Sequence, residues 1–108
     1  MKVLVTGAGG FVGRGLLARL TSTPNLTAVG SLRRAAKFAD VAAPLVVVGD
    51  MTAQTDWSDV LTGVQFVVHT AARVHVMIDT AEDPLEAFRA VNVDGTLNLA
   101  RQAAAAGI

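Results

Sequence analysis

The sequence predicts a doubly wound α/β domain, a parallel β-sheet with helices on both faces. Three observations point there. Short apolar, β-branched runs alternate with longer segments of helical period along the whole chain. The first run ends in glycines at positions 7, 10 and 13, and a helical pattern follows without a gap. Hydrophobic residues make up 52% of the chain and mean hydropathy is +0.48, as expected of strands covered on both faces.

In chain order, Lys2-Val3-Leu4-Val5-Thr6 reads as a buried parallel strand. Val12, Leu16, Leu17 and Leu20 recur at helical spacing behind it. Leu26 to Gly30 forms a second short strand, followed by a polar loop and a weak helical patch over residues 35–39. Leu45-Val46-Val47-Val48 is a third strand, closed by Gly49-Asp50. Thr55 or Asp56 caps a short helix through Val60 and Leu61, and Gly63 stops it. Val64 to His69 is the fourth strand, and a loop through Arg73 to Thr80 follows. Asp83-Pro84 supplies an N-cap and a first-turn proline for a long helix reaching about Ala106. Leu85, Phe88, Val91, Gly95 and Leu99 form its apolar face, and Gly107 is its C-cap. With right-handed crossovers, the expected strand order of such a fold is 3-2-1-4. A complete doubly wound sheet has further strands, so the chain is expected to stop before strand five, with residues 1–108 as one domain.

Nine basic and nine acidic residues cancel, which argues against nucleic acid or an anionic membrane as main partner. There is no cysteine, hence no disulfide framework and no thiolate metal site. No apolar stretch approaches the roughly 18 residues of a spanning helix. The first strand starts at Lys2 and leaves no room for a signal peptide, so a cytoplasmic protein is expected.

The glycines carry the chemistry. Gly7 allows a sharp strand-to-helix turn, Gly10 lets backbone approach a pyrophosphate, and Gly13 lets the helix pack closely on the strand. Amides and dipole at the helix N-terminus suit an anion, and Phe11 and Val12 open that helix. Strand, turn and helix together make this a dinucleotide fingerprint of Rossmann-like type. About 20 residues past such a motif an acid ordinarily holds the ribose 2′-OH of NAD. Here Ser31-Leu32-Arg33-Arg34 stands instead, so Arg33 or Arg34 could pair with a 2′-phosphate, a lean towards NADP; the other reading is two solvated arginines.

Thr6-Gly7-Ala8-Gly9-Gly10-Phe11-Val12-Gly13 has the TGxxGxxG form and resembles the extended short-chain dehydrogenase/reductases, the NAD-dependent epimerase/dehydratase family. Gly49-Asp50-Met51, His69-Thr70-Ala71-Ala72-Arg73-Val74-His75 and Asn92-Val93-Asp94-Gly95-Thr96 are similar to further family segments, in order and spacing. The resemblance implies NAD or NADP as cofactor, a nucleotide-sugar substrate, hydride transfer through the nicotinamide, and a homo-oligomer. It implies that Asp50 accepts from the adenine amino group with Met51 at the ring edge, unless Asp50 merely starts a turn. Thr70, Ala71 and Ala72 would floor the cofactor site, and Asn92 would tie its helix to backbone near the active site. His69 and His75, six apart, have no metal spacing, and a structural histidine fits His69 better than a catalytic one. Trp57 reads as core or groove edge, and Phe11 as a cap on the glycine turn or as core. The family's catalytic Tyr-x-x-x-Lys has no counterpart, since the chain contains no tyrosine. The chain is therefore expected to be an N-terminal portion that holds cofactor but cannot react. Alternatives are a non-enzymatic dinucleotide sensor or scaffold, or an NADPH-dependent ketone reductase of the same branch.

Overall fold

A computed structural model of the chain describes residues 1–36, 38, 41–73 and 82–108. Its strands β1 (Lys2–Thr6), β2 (Thr27–Leu32), β3 (Leu45–Val47) and β4 (Phe66–His69) form one parallel sheet in the order β3-β2-β1-β4. The expected topology is the observed one. β1 lies between β2 and β4, with Leu4 and Val5 wholly buried. Its side chains alternate between two cores, as a strand's period of two dictates. Val3 and Val5 join Ala8, Leu17, Ala28 and Leu32 under helix α1 (Phe11–Thr21). Leu4 joins Val29, Met51, Trp57, Val60, Leu61, Val64 and Leu99 on the other face.

Several elements differ from the sequence reading, each for a tertiary reason. β2 runs past Gly30 to Leu32 because Gly30, Ser31 and Leu32 pair with β3. In the patch at 35–39, Ala35, Ala36 and Phe38 are not helical, while Lys37 and Ala39 lie outside the described residues. Phe38 packs against the α1-side core, and the Arg14 guanidinium sits 4.5 Å from its ring centroid. No helix forms over 55–61. Asp56 Oδ1 does accept from the Ser58 amide at 2.9 Å and the Ser58 hydroxyl at 2.6 Å. Only Leu61 N to Trp57 O, 3.0 Å, follows helical spacing, and Thr62 and Val64 bond three residues back. Side chains of the last helix hold this segment by its backbone and override the local preference. Asn98 Nδ2 donates to the carbonyls of Thr52 (3.0 Å) and Thr55 (2.8 Å). Gln102 Nε2 donates to Thr55 O, and its Oε1 accepts from Trp57 N, both at 2.8 Å. Trp57, fully buried, is core.

The long helix is three segments: α2 (Pro84–Arg89), a π-helical stretch (Ala90–Gly95) and α3 (Thr96–Ala105). Asp83 caps it as expected, accepting from Glu86 N at 3.1 Å. A π turn inserts residues into the α period and shifts the phase of everything before it, by roughly 100° per added residue. Leu99 and Gly95 are accordingly buried while Leu85, expected on the same face, is 59% exposed. A Cβ on Gly95 would lie 3.1 Å from the Met51 carbonyl oxygen, so glycine is what admits this contact. At the far end Gly107 adopts φ +83°, with Gly107 N on Ala104 O and Ile108 N on Ala103 O, a Schellman closure. Among the described residues, no helix is long and apolar enough to cross a membrane.

Two glycines give predictions of opposite sign. A Cβ at Gly30 would meet Ala8 Cβ at 2.6 Å and both Leu17 and Leu45 Cδ2 at 2.8 Å. Gly30→Ala should therefore cost about 1–3 kcal/mol of unfolding free energy in a urea titration. Gly15, exposed in α1 with none of the described residues within 4 Å of a Cβ, should gain about 0.5–1 kcal/mol as Gly15→Ala. Equal effects at both positions would contradict this packing.

Candidate functional site

At the carboxyl end of β1 the chain turns through Gly7, whose φ of +66° disfavours any side chain. A Cβ there would lie 2.7 Å from Ala71 N. One on Gly13 would overlap the Gly7 carbonyl oxygen and lie 2.7 Å from Thr70 Oγ1. Packing between the ends of β1 and β4 and the start of α1 thus requires glycine at both positions. Gly10 is different. As N-cap of α1 it is extended, at φ −79° and ψ 169°, and among the described residues only Gly7 O, at 3.4 Å, lies near its Cβ position. The fold does not demand a glycine there. Among the described residues no side chain caps α1, and no acid occupies its first turn, so its N-terminus carries an uncompensated positive dipole end. Phe11 is 98% exposed and Val12 66%, so Phe11 is not core.

Behind the turn lies a hydrogen-bonded hub. The buried Thr6 Oγ1 accepts from the amides of Thr70 (3.1 Å) and Ala71 (3.2 Å). Thr70 Oγ1 in turn donates to the Thr6 carbonyl. With both lone pairs of Thr6 Oγ1 occupied, its proton points at His69 Nδ1, 2.7 Å away. His69 is thus the neutral tautomer with hydrogen on Nε2, which donates to Thr96 Oγ1 at 3.0 Å. Burial pushes the imidazole pKa below its ordinary value. Both ring nitrogens are engaged, which is the structural role. Its sequence partner His75 lies outside the described residues. Among the described residues no cluster of His, Cys, Asp and Glu could hold a metal ion.

The ends of β2 and β3 make the next corner. Val48 N donates to Leu32 O at 2.9 Å, and Arg33 and Arg34 follow, both exposed. Arg33 Nε lies 3.7 Å from Asp50 Oδ1, with the two side chains 62% and 77% exposed. Two residues assigned separate tasks by the sequence are thus partners. Met51 lies in the core cluster that includes Leu99 and Trp57, with 7% of the residue exposed.

Asn92 lies within the π stretch. Its Oδ1 accepts from Arg73 N at 2.8 Å and its Nδ2 donates to Arg73 O at 3.0 Å, a two-point grip on the backbone next to Ala72. The Arg73 guanidinium lies 5.4 Å from the Phe88 ring centroid. Thr70 and Ala71 are half-buried and Ala72 exposed beside the glycine turn. The sequence reading missed Asn98 and Gln102, although their i, i+4 spacing places two amides on one helix face.

Residues 3–108 match the model of the NAD dependent epimerase/dehydratase family. The chain belongs to that family. It is 42% identical over 107 residues to a UDP-glucose 4-epimerase of Vibrio cholerae, covering 99% of this chain and 32% of that protein. It is 32% identical over 116 residues to a 3-beta-hydroxysteroid dehydrogenase of Mycolicibacterium neoaurum, covering 99% and 30%. The chain spans about a third of the length of the curated relatives it matches. Among solved structures, WbmG of Bordetella bronchiseptica in complex with NAD superposes with a TM-score of 0.69 at 26% identity, covering 100% of this chain and 35% of that one. The UDP-glucuronic acid 4-epimerase of Bacillus cereus, in complex with UDP-glucuronic acid and NAD, shares the fold at TM-score 0.72 and 24% identity, covering 94% and 35%.

The hub has a pH signature. A histidine whose folded pKa is depressed leaves the unfolded chain binding more protons, so stability rises with pH through that window. Unfolding free energy should be flat above about pH 7.5 and should fall as pH drops below the ordinary histidine value of 6.5. His69→Gln should remove this slope between about pH 7 and pH 5.5. An unchanged slope in His69→Gln would count against the neutral hub.

Proposed function

We propose that the chain is the cofactor-binding portion of an NAD-dependent enzyme acting on nucleotide sugars, of the 4-epimerase kind. Gly10 carries the reading. Gly7 and Gly13 are needed by the fold, whereas among the described residues only Gly7 O comes near a Cβ on Gly10, at the uncapped N-terminus of α1. Such a cradle fits a pyrophosphate. The 42% identity to the Vibrio cholerae 4-epimerase supports the nucleotide-sugar assignment.

In this reading the phosphates lie over Gly10, in the turn that Gly7 and Gly13 shape, with the Phe11 and Val12 amides as donors. Asp50 accepts from the adenine amino group, and Thr70, Ala71 and Ala72 form the floor. Asn92 positions the backbone at Arg73. The nicotinamide cofactor, when bound, supplies a site that takes up and returns hydride. The chain has no tyrosine, so the tyrosine–lysine proton transfer implied by the resemblance has no residue here, and binding is the chain's own part. NAD suits the corner better than NADP, since Arg33 is paired with Asp50. Val93 and Leu97, 49% and 46% exposed on the long helix, suit a subunit contact. A second reading, an alcohol oxidoreductase of the same family, is favoured by the 32% match to the steroid dehydrogenase. Turnover of UDP-glucose against a 3β-hydroxysteroid by a protein carrying this chain separates the two.

Titration with ADP-ribose should shift the amides of residues 7–13 and those near Asp50 in NMR spectra; shifts confined elsewhere would remove the binding reading. Gly10→Val should remain folded yet weaken ADP-ribose more than tenfold, about 1.4 kcal/mol. Gly13→Val, by contrast, should fail to fold. Unchanged affinity in a folded Gly10→Val would mean that the loop holds no phosphate.

A further inference from the structure

One stripe of the long helix serves a single loop. Gly95, Asn98, Leu99 and Gln102 follow the i, i+3, i+4, i+7 spacing of a helix face, and all four meet the chain between Met51 and Trp57. Gly95 admits the Met51 carbonyl, and Leu99 shares a core cluster with Met51 and Trp57. The two amides between them are used to capacity. Asn98 Nδ2 donates to the carbonyls of Thr52 and Thr55, and Gln102 Nε2 donates to Thr55 O and to Asn98 Oδ1, the last at 2.8 Å. Gln102 Oε1 takes the Trp57 amide. Each amide has one orientation that satisfies this set, so the loop sits in one register on the helix. The anchoring runs on to Asp50. Thr55 Oγ1 accepts from Thr52 N at 2.9 Å and donates to the Asp50 carbonyl at 3.0 Å. The Asp50 side chain is 77% exposed and, among the described residues, meets only Arg33 Nε, at 3.7 Å. Its place at the end of β3 is therefore set by backbone, and that backbone is held by α3.

We propose that Asn98 and Gln102 are positioning residues for the adenine end of the cofactor site, acting through the loop that presents Asp50. The proposal rests on the cofactor-binding reading above. In that reading the phosphates lie over the glycine turn, whose close contacts are with Thr70 and Ala71, whereas the adenine donates to Asp50. A loop that must be ordered when ligand arrives costs affinity. The two amides order it beforehand, when the helix docks. Their effect is thus confined to ligands that carry the adenosine.

Two probes separate the ends of the site in NMR titrations of the chain: inorganic pyrophosphate, which needs the glycine turn alone, and ADP-ribose, which also reaches Asp50. ADP-ribose should shift the side-chain amide resonances of Asn98 and Gln102 together with the backbone amides of residues 7–13. Pyrophosphate should shift residues 7–13 and leave the two side-chain amides in place. Gln102→Met, which keeps the length and removes the hydrogen bonds to Thr55 and Trp57, should weaken ADP-ribose about fivefold relative to pyrophosphate. A loss of stability alone lowers both apparent affinities by the folded fraction and cancels in this ratio. On an Asp50→Ala background the same change should leave the ratio unmoved, because the loop then presents no carboxylate. If ADP-ribose shifts residues 7–13 without moving the Asn98 and Gln102 amides, or Gln102→Met keeps the wild-type ratio, the proposal falls and the binding reading stands. An equal loss on both backgrounds overturns the route through Asp50. If neither probe moves residues 7–13, the binding reading fails and takes the proposal with it.

Discussion

The close approach of three backbones at the end of β1 is the constraint on which the rest of the structure depends. The Gly7 turn, the first turn of α1 at Gly13, and the Thr70-Ala71 segment after β4 meet with no room for a Cβ on either glycine. Such contact strands backbone amides, and unsatisfied amides are costly when shielded from water. Thr6 resolves the problem with one hydroxyl, which accepts from Thr70 and Ala71 and donates to His69. His69 passes the connection to Thr96 at the start of α3. Sheet centre, glycine turn and long helix are thereby joined through a chain of neutral side-chain hydrogen bonds.

The same contact explains where an open surface remains. The described residues fill the space around Gly7 and Gly13, and of them only Gly7 O comes near a Cβ on Gly10. Exposed Phe11 and Val12 flank it without closing it. A tight floor beneath an open, positively polarised helix end suits a phosphate-bearing ligand on both steric and electrostatic grounds. The charged pair of Arg33 and Asp50 stands at the ends of the neighbouring strands, so shape governs one part of this surface and charge the other.

The long helix shows how a break in regularity positions side chains. A continuous α-helix from Pro84 would have kept Leu85 in phase with Leu99. The π stretch releases that phase, brings Gly95 against the Met51 backbone, and sets Asn92 on Arg73. Downstream, in regular α-helix, Asn98 and Gln102 seize the carbonyls and amide of the 52–57 segment and prevent a helix there.

The sequence by itself determined the sheet, its order, the glycine turn and the caps at Asp83 and Gly107, because these follow from local properties. Strand and helix periods, a positive φ at glycine and a capping carboxylate are written in a few adjacent residues. Only the tertiary structure decided what depends on residues far apart in the chain. Thr6 and His69 are 63 positions apart, and Trp57 and Gln102 are 45 apart. The partnership of Arg33 with Asp50, the burial of Met51, and the helix surrendered at 55–61 all arise from such meetings. No local pattern encodes them, because a side-chain amide that captures a distant carbonyl competes with the local hydrogen bond and wins only once the helix has docked.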